Sequence, residues 1–203
     1  MKIDITLPIS HCMVHYPGDP DVTFETVLDI RSGGPVNLQK LSLGSHSGTH
    51  VDAPYHVLPD GSKIGSLPVD YFIGKAKVFE FDSDIRAEHI RELGIEADDI
   101  VLFKTPNSEK LRERYDPNHV NVLPCAAQFL ADARVRAVGI DCLSIENNPA
   151  LETHRILLGA GIPIVEALDL NKAEPGIYHM TAMTMRLEDS DGAPLRAMLE
   201  KTE

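Results

Sequence analysis

The sequence predicts a strand-rich mixed α/β protein. Short apolar runs with β-branched residues recur along the 203 residues, and Gly, Pro, Asn and Asp separate them. Helical patterns are fewer, and one of them leads directly into an apolar strand, as in an αβ unit that feeds a central sheet. The apolar fraction of 43% and the charged fraction of 25% are ordinary for a globular protein. This length favours a single domain, which we place over residues 1–203.

The individual elements follow from local patterns. Eight segments have the composition of strands: 2–7, 22–28, 36–43, 75–81, 100–103, 137–140, 162–168 and 178–187. Three segments have helical patterns: 87–93 before Gly94, 124–133 with Pro124 in the first turn, and 149–158 before Gly159. The charged segment 105–122 is expected to be a surface excursion that contains one short helix.

Composition excludes several classes of protein. The formal net charge of −12 and the lack of a basic cluster argue against nucleic acid as a partner. No apolar run approaches the roughly 20 residues of a membrane-spanning helix, and Asp4 interrupts the only N-terminal stretch that could resemble a signal peptide. Cys12, Cys125 and Cys142 are odd in number and lack CxxC spacing, as expected for reduced thiols. We therefore expect a cytoplasmic protein without membrane association.

Three histidines and one aspartate are concentrated in the run SHSGTHVDAPYH. They are His46, His50, Asp52 and His56. Imidazole nitrogen together with carboxylate oxygen suits Zn²⁺ and, less selectively, Mn²⁺ or Fe²⁺. Catalytic sites have about three protein ligands and a position left open for water, and His46, His50 and Asp52 meet that count alone. The run therefore predicts a catalytic divalent-metal site, against the alternative of a histidine-rich surface loop.

The spacing of these residues predicts a bent, extended backbone. Pro54 and Gly48 argue against a helix, whereas in a strand His50 and Asp52 would face the same side about 6.6 Å apart. A fully extended run would spread the outermost histidines over roughly 33 Å, too far for one site. We therefore expect Gly48 to allow one bend and Pro54 to fix another.

A second group of candidates lies later in the chain. Glu166 stands near the end of IPIVEAL, which is apolar enough to be buried on both faces of a sheet. A buried carboxylate needs a cation, a hydrogen-bond network or the solvent edge. His154, on the preceding helix, reaches the same region if that helix packs back along the strand; an exposed position is the alternative.

The histidine run resembles the HxGTHxDxPxH signature of the putative cyclase family, which includes bacterial kynurenine formamidases and isatin hydrolases. Further segments resemble the family in the same order: YPGD at 16–19, GID at 139–141, HRILLGAGIPIVEALDL and DGAPLRAML. The resemblance therefore covers nearly the whole chain. It implies a swivelling β/β/α-type domain with a mixed, partly barrel-like sheet and a few helices, assembled as homodimers or tetramers.

The resemblance also implies the metal ligands. His46, His50 and Asp52 would hold a first divalent ion, and Asp52 would bridge to a second ion held by His154 and Glu166. Zn²⁺ is expected and Mn²⁺ is the alternative, with one or two ions in each subunit.

The remaining roles concern the reaction. By resemblance His56 is the catalytic proton donor and acceptor, and Tyr16 replaces a substrate-stacking tryptophan of the formamidases; the chain has no tryptophan. The expected reaction is hydrolysis of a small amide, N-formylkynurenine to kynurenine and formate in tryptophan catabolism. The alternatives are hydrolysis of a cyclic amide such as isatin or of a lactone, a lyase or cyclase reaction, and metal binding without turnover.

Overall fold

The computed structural model describes residues 1–201 and contains ten strands and four α-helices in that range. The strands are β1 (Lys2–Asp4), β2 (Thr23–Leu28), β3 (Leu38–Ser42), β4 (His50–Asp52), β5 (Ile73–Glu80), β6 (Ile100–Lys104), β7 (Ala137–Ile140), β8 (Ile164–Glu166), β9 (Gly176–Thr184) and β10 (Gly192–Lys201). The helices are α1 (Ala87–Ile90), α2 (Asn107–Lys110), α3 (Pro124–Ala133) and α4 (Glu152–Gly159).

Seven strands form a closed mixed barrel. Their order is β10-β4-β8-β7-β6-β5-β9, and β9 pairs again with β10 to close the ring. Strands β5 to β8 are parallel to their neighbours within that group, whereas the pairs that involve β4, β9 or β10 are antiparallel. β1 adds to the outside edge of β10. The expected mixed, partly barrel-like sheet with few helices is confirmed.

Side chains alternate between the inner and outer faces of the barrel strands, so the core has two parts. One cluster fills the barrel and takes residues from all seven strands, including Val51 from β4 and Val165 from β8. The other lies between the outer face of the parallel strands and the helices, and includes Ile164 of β8 with Leu157 of α4. Residues two apart in a strand share a face, so Glu166 lies with Ile164 on the outer, helix-covered face.

Most predicted elements form, with different ends. The strand at 137–140 and the helix at 124–133 have the predicted bounds, and the short helix expected in segment 105–122 is α2. The helix predicted at 149–158 begins later, at Glu152, because Leu151 has a left-handed backbone (φ 52°). The predictions omitted β10, which is the longest strand in the described range.

Strands β2 and β3 form a separate hairpin. They pair only with each other among the described strands, and nearly all their side chains are exposed. The hairpin and the turn between its strands expose several large apolar side chains: Val27, Ile30, Val36, Leu38 and Leu41. Within residues 1–201, no helix has both the length and the hydropathy to cross a membrane.

Candidate metal centre

The histidine run adopts the bent, extended shape that its sequence predicts. Gly48 has a left-handed backbone (φ +66°), and a Cβ at this position would lie 2.7 Å from Cγ1 of Ile9. His50 to Asp52 then form β4, and a 3-10 turn over Pro54–His56 follows. Both expected bends are therefore present, and they bring the ends of the run back toward β4.

Four buried side chains meet on the outer face of the barrel. β4 and β8 are antiparallel with His50 opposite Glu166, so His50, Asp52 and Glu166 share one face of the sheet. α4 packs over that face and adds His154. His50 Nε2 lies 3.4 Å from both Asp52 Oδ1 and Glu166 Oε2. His154 Nε2 lies 3.3 Å from Glu166 Oε1 and 3.6 Å from Asp52 Oδ2. His154 is therefore in the site and not exposed.

His46 and His56 lie at the more open side of this cluster. His46 Nδ1 is 2.8 Å from Asp52 Oδ1, and the His46 and His56 ring centroids are 4.2 Å apart. Both rings are partly exposed. The structure therefore brings together all six residues of the predicted centre.

His46, His50 and His154 each have one ring nitrogen directed into the centre and the other bound to a group outside it. His50 Nδ1 donates to the Gly48 carbonyl at 2.9 Å, and His154 Nδ1 donates to Glu146 Oε1 at 2.8 Å. His46 Nε2 lies 2.8 Å from Asp191 Oδ2. Metal-binding histidines in proteins are oriented in this way, by a carbonyl or carboxylate on the second ring nitrogen.

Electrostatics favours positive charge at the centre. Burial lowers the pKa of His46, but the charge of Asp52 and hydrogen bonds with Asp191 and Asp52 outweigh it and raise the pKa to about 11. Burial is likewise outweighed at His50, whose hydrogen bonds with Asp52 and Glu166 raise its pKa to about 9. At His154, burial lowers the pKa, but hydrogen bonds with Glu146 and Glu166 outweigh it and raise the pKa to about 10.

The two cluster carboxylates stay ionised despite burial, which by itself would raise their pKa. The charge of His46 and its hydrogen bond hold the pKa of Asp52 well below its usual range. Hydrogen bonds from His154 and His50 lower the pKa of Glu166. In the protein without metal, protons on the imidazoles thus supply the positive charge that a divalent cation would supply.

The donor set fits a divalent metal ion. Two groups have ligand atoms within 4.8 Å of one another: His50 with Asp52 and Glu166, and His46 with Asp52 and His56. Asp52 belongs to both. Its Oδ2 atom is buried and has no hydrogen-bond partner among residues 1–201. A buried carboxylate oxygen without a donor is costly unless a cation satisfies it.

A chain of contacts links Tyr16 to the cluster. The YPGD segment forms a turn in which the Asp19 amide donates to the Tyr16 carbonyl at 3.0 Å. The Tyr16 ring packs edge-on against Tyr115, with centroids 5.2 Å apart, and the Tyr115 hydroxyl lies 3.4 Å from Asn147 Oδ1. Asn147 follows Glu146, the partner of His154. Tyr16 is therefore linked to the centre through intervening residues.

An open cleft of about 580 Å³ adjoins His56. Tyr55, His56, Leu151, Arg155 and Asp191 are among its lining residues. Another cleft, of about 440 Å³, lies near the amino ends of the parallel strands, and none of the six centre residues lines it. Of these two clefts, only the one at His56 is lined by a residue of the centre.

Two site residues escaped the sequence analysis, Asp191 and Glu146. Asp191 precedes β10 within DGAPLRAML, and Glu146 stands in a loop after β7. Each stands several residues after a predicted strand, where a carboxylate is a common surface feature, so local pattern gave no signal for either. Only the pairing of β10 with β4 and the packing of α4 bring them to the histidines.

Comparison with known proteins identifies the family of this chain. The family model described as putative cyclase matches residues 3–147. The chain belongs to the putative cyclase family, and the resemblance seen in its sequence is confirmed.

Individual relatives extend the likeness to the whole chain. The chain is 36% identical to a kynurenine formamidase of Salinibacter ruber, over 97% of this chain and 96% of that protein. It is 31% identical to a solved structure described as a potential metal-dependent hydrolase with cyclase activity, with a TM-score of 0.89 and coverage of 100% and 99%. Isatin hydrolase A from Labrenzia aggregata is 22% identical, with a TM-score of 0.85 and coverage of 100% and 94%, which establishes a shared fold.

Proposed function

We propose that the protein is a metal-dependent amidohydrolase that cleaves a small non-peptide amide, with an aryl formamide as substrate. The observation that carries this proposal is the buried donor set. His46 directs one ring nitrogen at Asp52, and His50 and His154 each direct one at both Asp52 and Glu166. The other nitrogen of each ring is held from outside. The likeness to a kynurenine formamidase over nearly the whole chain supports the choice of amide hydrolysis.

The ligands would hold one or two divalent ions. His46, His50 and Asp52 would hold the first ion, and His154, Glu166 and Asp52 would hold a second. The mixture of imidazole and carboxylate favours Zn²⁺, with Mn²⁺ as the alternative. When bound, a divalent ion lowers the pKa of water and polarises a carbonyl group.

His56 would move the proton of the reaction. Its Nδ1 lies 3.3 Å from Asp191 Oδ2, and its ring borders the cleft. His56 Nε2 would take a proton from water as the water oxygen attacks the formyl carbon. It would return that proton to the leaving nitrogen as the C–N bond breaks, giving an amine and formate. Imidazole suits both steps because it exchanges protons near neutral pH.

The aryl part of the substrate would contact the aromatic pair Tyr16 and Tyr115. Their rings pack edge-on with centroids 5.2 Å apart and offer aromatic surface, although neither residue lines the cleft at His56. A cleft of about 580 Å³ is within the range that small-molecule sites occupy. N-formylkynurenine, which combines an aryl formamide with an amino-acid group, is the substrate we propose.

The protein is further proposed to be a homo-oligomer, with a dimer as the basic unit. A two-stranded hairpin is marginally stable alone in water, and the β2–β3 hairpin exposes apolar side chains on both strands. A second copy related by a two-fold axis would cover that surface with the same surface. In sedimentation experiments, the parent should be a dimer and the Leu38→Glu, Leu41→Glu double variant a monomer. A monomeric parent would contradict the proposal.

The location in the cytoplasm stays a prediction. It agrees with three cysteines that are all free.

One experiment tests the function. Metal content and steady-state hydrolysis of N-formylkynurenine, formanilide and isatin are measured for the parent, His56→Ala and His179→Ala. His179 is an exposed histidine of β9 and serves as the matched control. We expect His56→Ala to keep its metal and lose about 10²–10⁴-fold in turnover, the range for a general acid or base. His179→Ala should behave as the parent.

Other outcomes of this experiment would change the role of His56, the substrate or the activity that we propose. Loss of metal in His56→Ala would make His56 a ligand, in agreement with its place in the second donor group. Isatin hydrolysis without formamide hydrolysis would favour a cyclic-amide hydrolase. Metal binding without hydrolysis of any of the three substrates would contradict the proposed activity.

A further inference from the structure

The Asp191 carboxylate accepts hydrogen bonds from four side chains, those of two histidines, Ser45 and Ser190. Its Oδ2 atom lies 2.8 Å from His46 Nε2 and 3.3 Å from His56 Nδ1. Its Oδ1 atom accepts from the Ser45 hydroxyl at 2.9 Å. One carboxylate oxygen is therefore shared between an imidazole of the donor set and the imidazole that borders the cleft.

These contacts determine the proton positions on His56. An ionised carboxylate only accepts hydrogen bonds, so the hydrogen that points to Asp191 must sit on His56 Nδ1. In the neutral ring the other nitrogen, Nε2, then carries the lone pair. That is the form of imidazole that can take a proton from water.

Backbone contacts hold Asp191 beside His46 and His56. The Ala53 amide donates to the Asp191 carbonyl at 2.9 Å, and the next residue, Gly192, pairs with Asp52 across β10 and β4. Gly192 also leaves space for a ring: a Cβ there would lie 2.9 Å from His46 Cε1 and 2.6 Å from the Val51 carbonyl oxygen. The start of β10 thus fits closely against the centre.

We infer that Asp191 is a positioning residue that holds His56 with Nε2 toward the substrate and aligns it with His46 through one shared carboxylate oxygen. This inference deepens the proposed function and rests on it for the role of His56 in turnover. It gives the segment DGAPLRAML a part in the reaction, since its first residue orients the group that moves the proton.

The kinetic test uses Asp191→Asn, which keeps the shape and removes the charge. With saturating zinc, we expect kcat to fall 10- to 100-fold while KM changes less than about threefold. In the background of His56→Ala, Asp191→Asn should cause no further loss, because a residue that acts through His56 has nothing left to position. Glu188→Gln is the control, since it removes an exposed carboxylate from the same loop and should leave kcat unchanged.

Two kinetic results would overturn the inference. One is a kcat for Asp191→Asn within threefold of the parent at saturating zinc. The other is an equal loss from Asp191→Asn in the parent and in His56→Ala, which would show that it acts independently of His56.

A spectroscopic measurement separates this inference from the proposed activity. Nitrogen NMR of histidine-labelled protein, assigned with His56→Ala, reports which nitrogen of the neutral His56 ring carries hydrogen. We expect Nδ1–H in the parent and a shift toward Nε2–H in Asp191→Asn. The same tautomer in both proteins would overturn the inference. Because the readout needs no substrate, it decides the point even for an enzyme that hydrolyses none of the amides.

Discussion

Replacing Thr49 by valine tests how β4 is held in place. The Thr49 side chain is buried between β4 and two other segments. Its hydroxyl accepts from the Leu7 amide at 2.7 Å and donates to the Ala167 carbonyl at 2.5 Å. Ala167 follows Glu166 and has a left-handed backbone (φ 53°). One hydroxyl therefore ties the signature strand to the residue after a proposed metal ligand.

The magnitude follows from the groups left behind. Valine has nearly the shape of threonine, so Thr49→Val opens no cavity but leaves a buried N–H and a buried C=O without their partner. Each such group costs about 1–3 kcal/mol, and the pair about 2–6 kcal/mol. Thr49→Ser keeps both hydrogen bonds and loses one methyl group, which corresponds to about 1 kcal/mol.

The assay is urea unfolding of the metal-free protein, which compares the parent with both variants. We expect Thr49→Val to lower the midpoint more than Thr49→Ser, with an unchanged slope in each case. A loss below about 1 kcal/mol for Thr49→Val would refute the reasoning. So would a loss no larger than that of Thr49→Ser, since the hydroxyl would then contribute nothing.

Further predictions concern the metal and its surroundings. A chelator should lower the Tm, and zinc at about 100 times its Kd should restore about 2.7 kcal/mol, as measured by thermal melts; an unchanged Tm would show that the ion does not stabilise the fold. Glu146→Gln should weaken zinc binding about 10- to 100-fold in a chelator competition, because its carboxylate orients His154. Glu152→Gln, an exposed carboxylate of α4, is the control, and equal affinities would contradict this role. The metal-free protein should lose stability from about pH 7 to about pH 11. A histidine whose pKa is raised by folding stabilises fully below its unfolded value of 6.5, and this stabilisation is lost as pH rises through the folded value, about 11 for His46 and about 9 for His50. Thermal melts of His46→Ala should show a smaller decline, and a stability that is constant or rises over this range would be inconsistent with the charged cluster.

The convergence of His46, His50, Asp52 and His56 was predictable because its information is local. His50 and Asp52 are two residues apart in a strand, and Gly48 and Pro54 mark the bends, so one short segment encodes most of the geometry. Helix α3 and strand β7 were predicted with their observed bounds for the same reason: Pro124 begins the helix, and an apolar run forms the strand.

Strand β10 was missed because its first residues oppose a strand assignment. Gly192 and Pro194 are both disfavoured inside strands, and proline cannot donate to a ladder. Here Pro194 lies opposite His50, where β10 meets the short strand β4, and the remainder of β10 pairs with β9 and β1. The tertiary context of a closing barrel strand therefore overrides local propensity.

Asp191 and Glu146 could not be predicted for a different reason. Their roles depend on register and helix packing between segments that are distant in sequence, and neither belongs to a local pattern. Such partners of metal-binding histidines become recognisable only once the ring nitrogens that they contact are located.

The position of β4 between β10 and β8 sets an order of events during synthesis. His50 emerges from the ribosome long before Glu166 and Pro194, the residues that lie opposite it in the finished sheet. A nascent chain that stops before β8 therefore has part of the signature but no frame to hold it. Cation capture should accompany these strand pairings, so β8 and β10 must be synthesised before the chain can bind a divalent ion tightly.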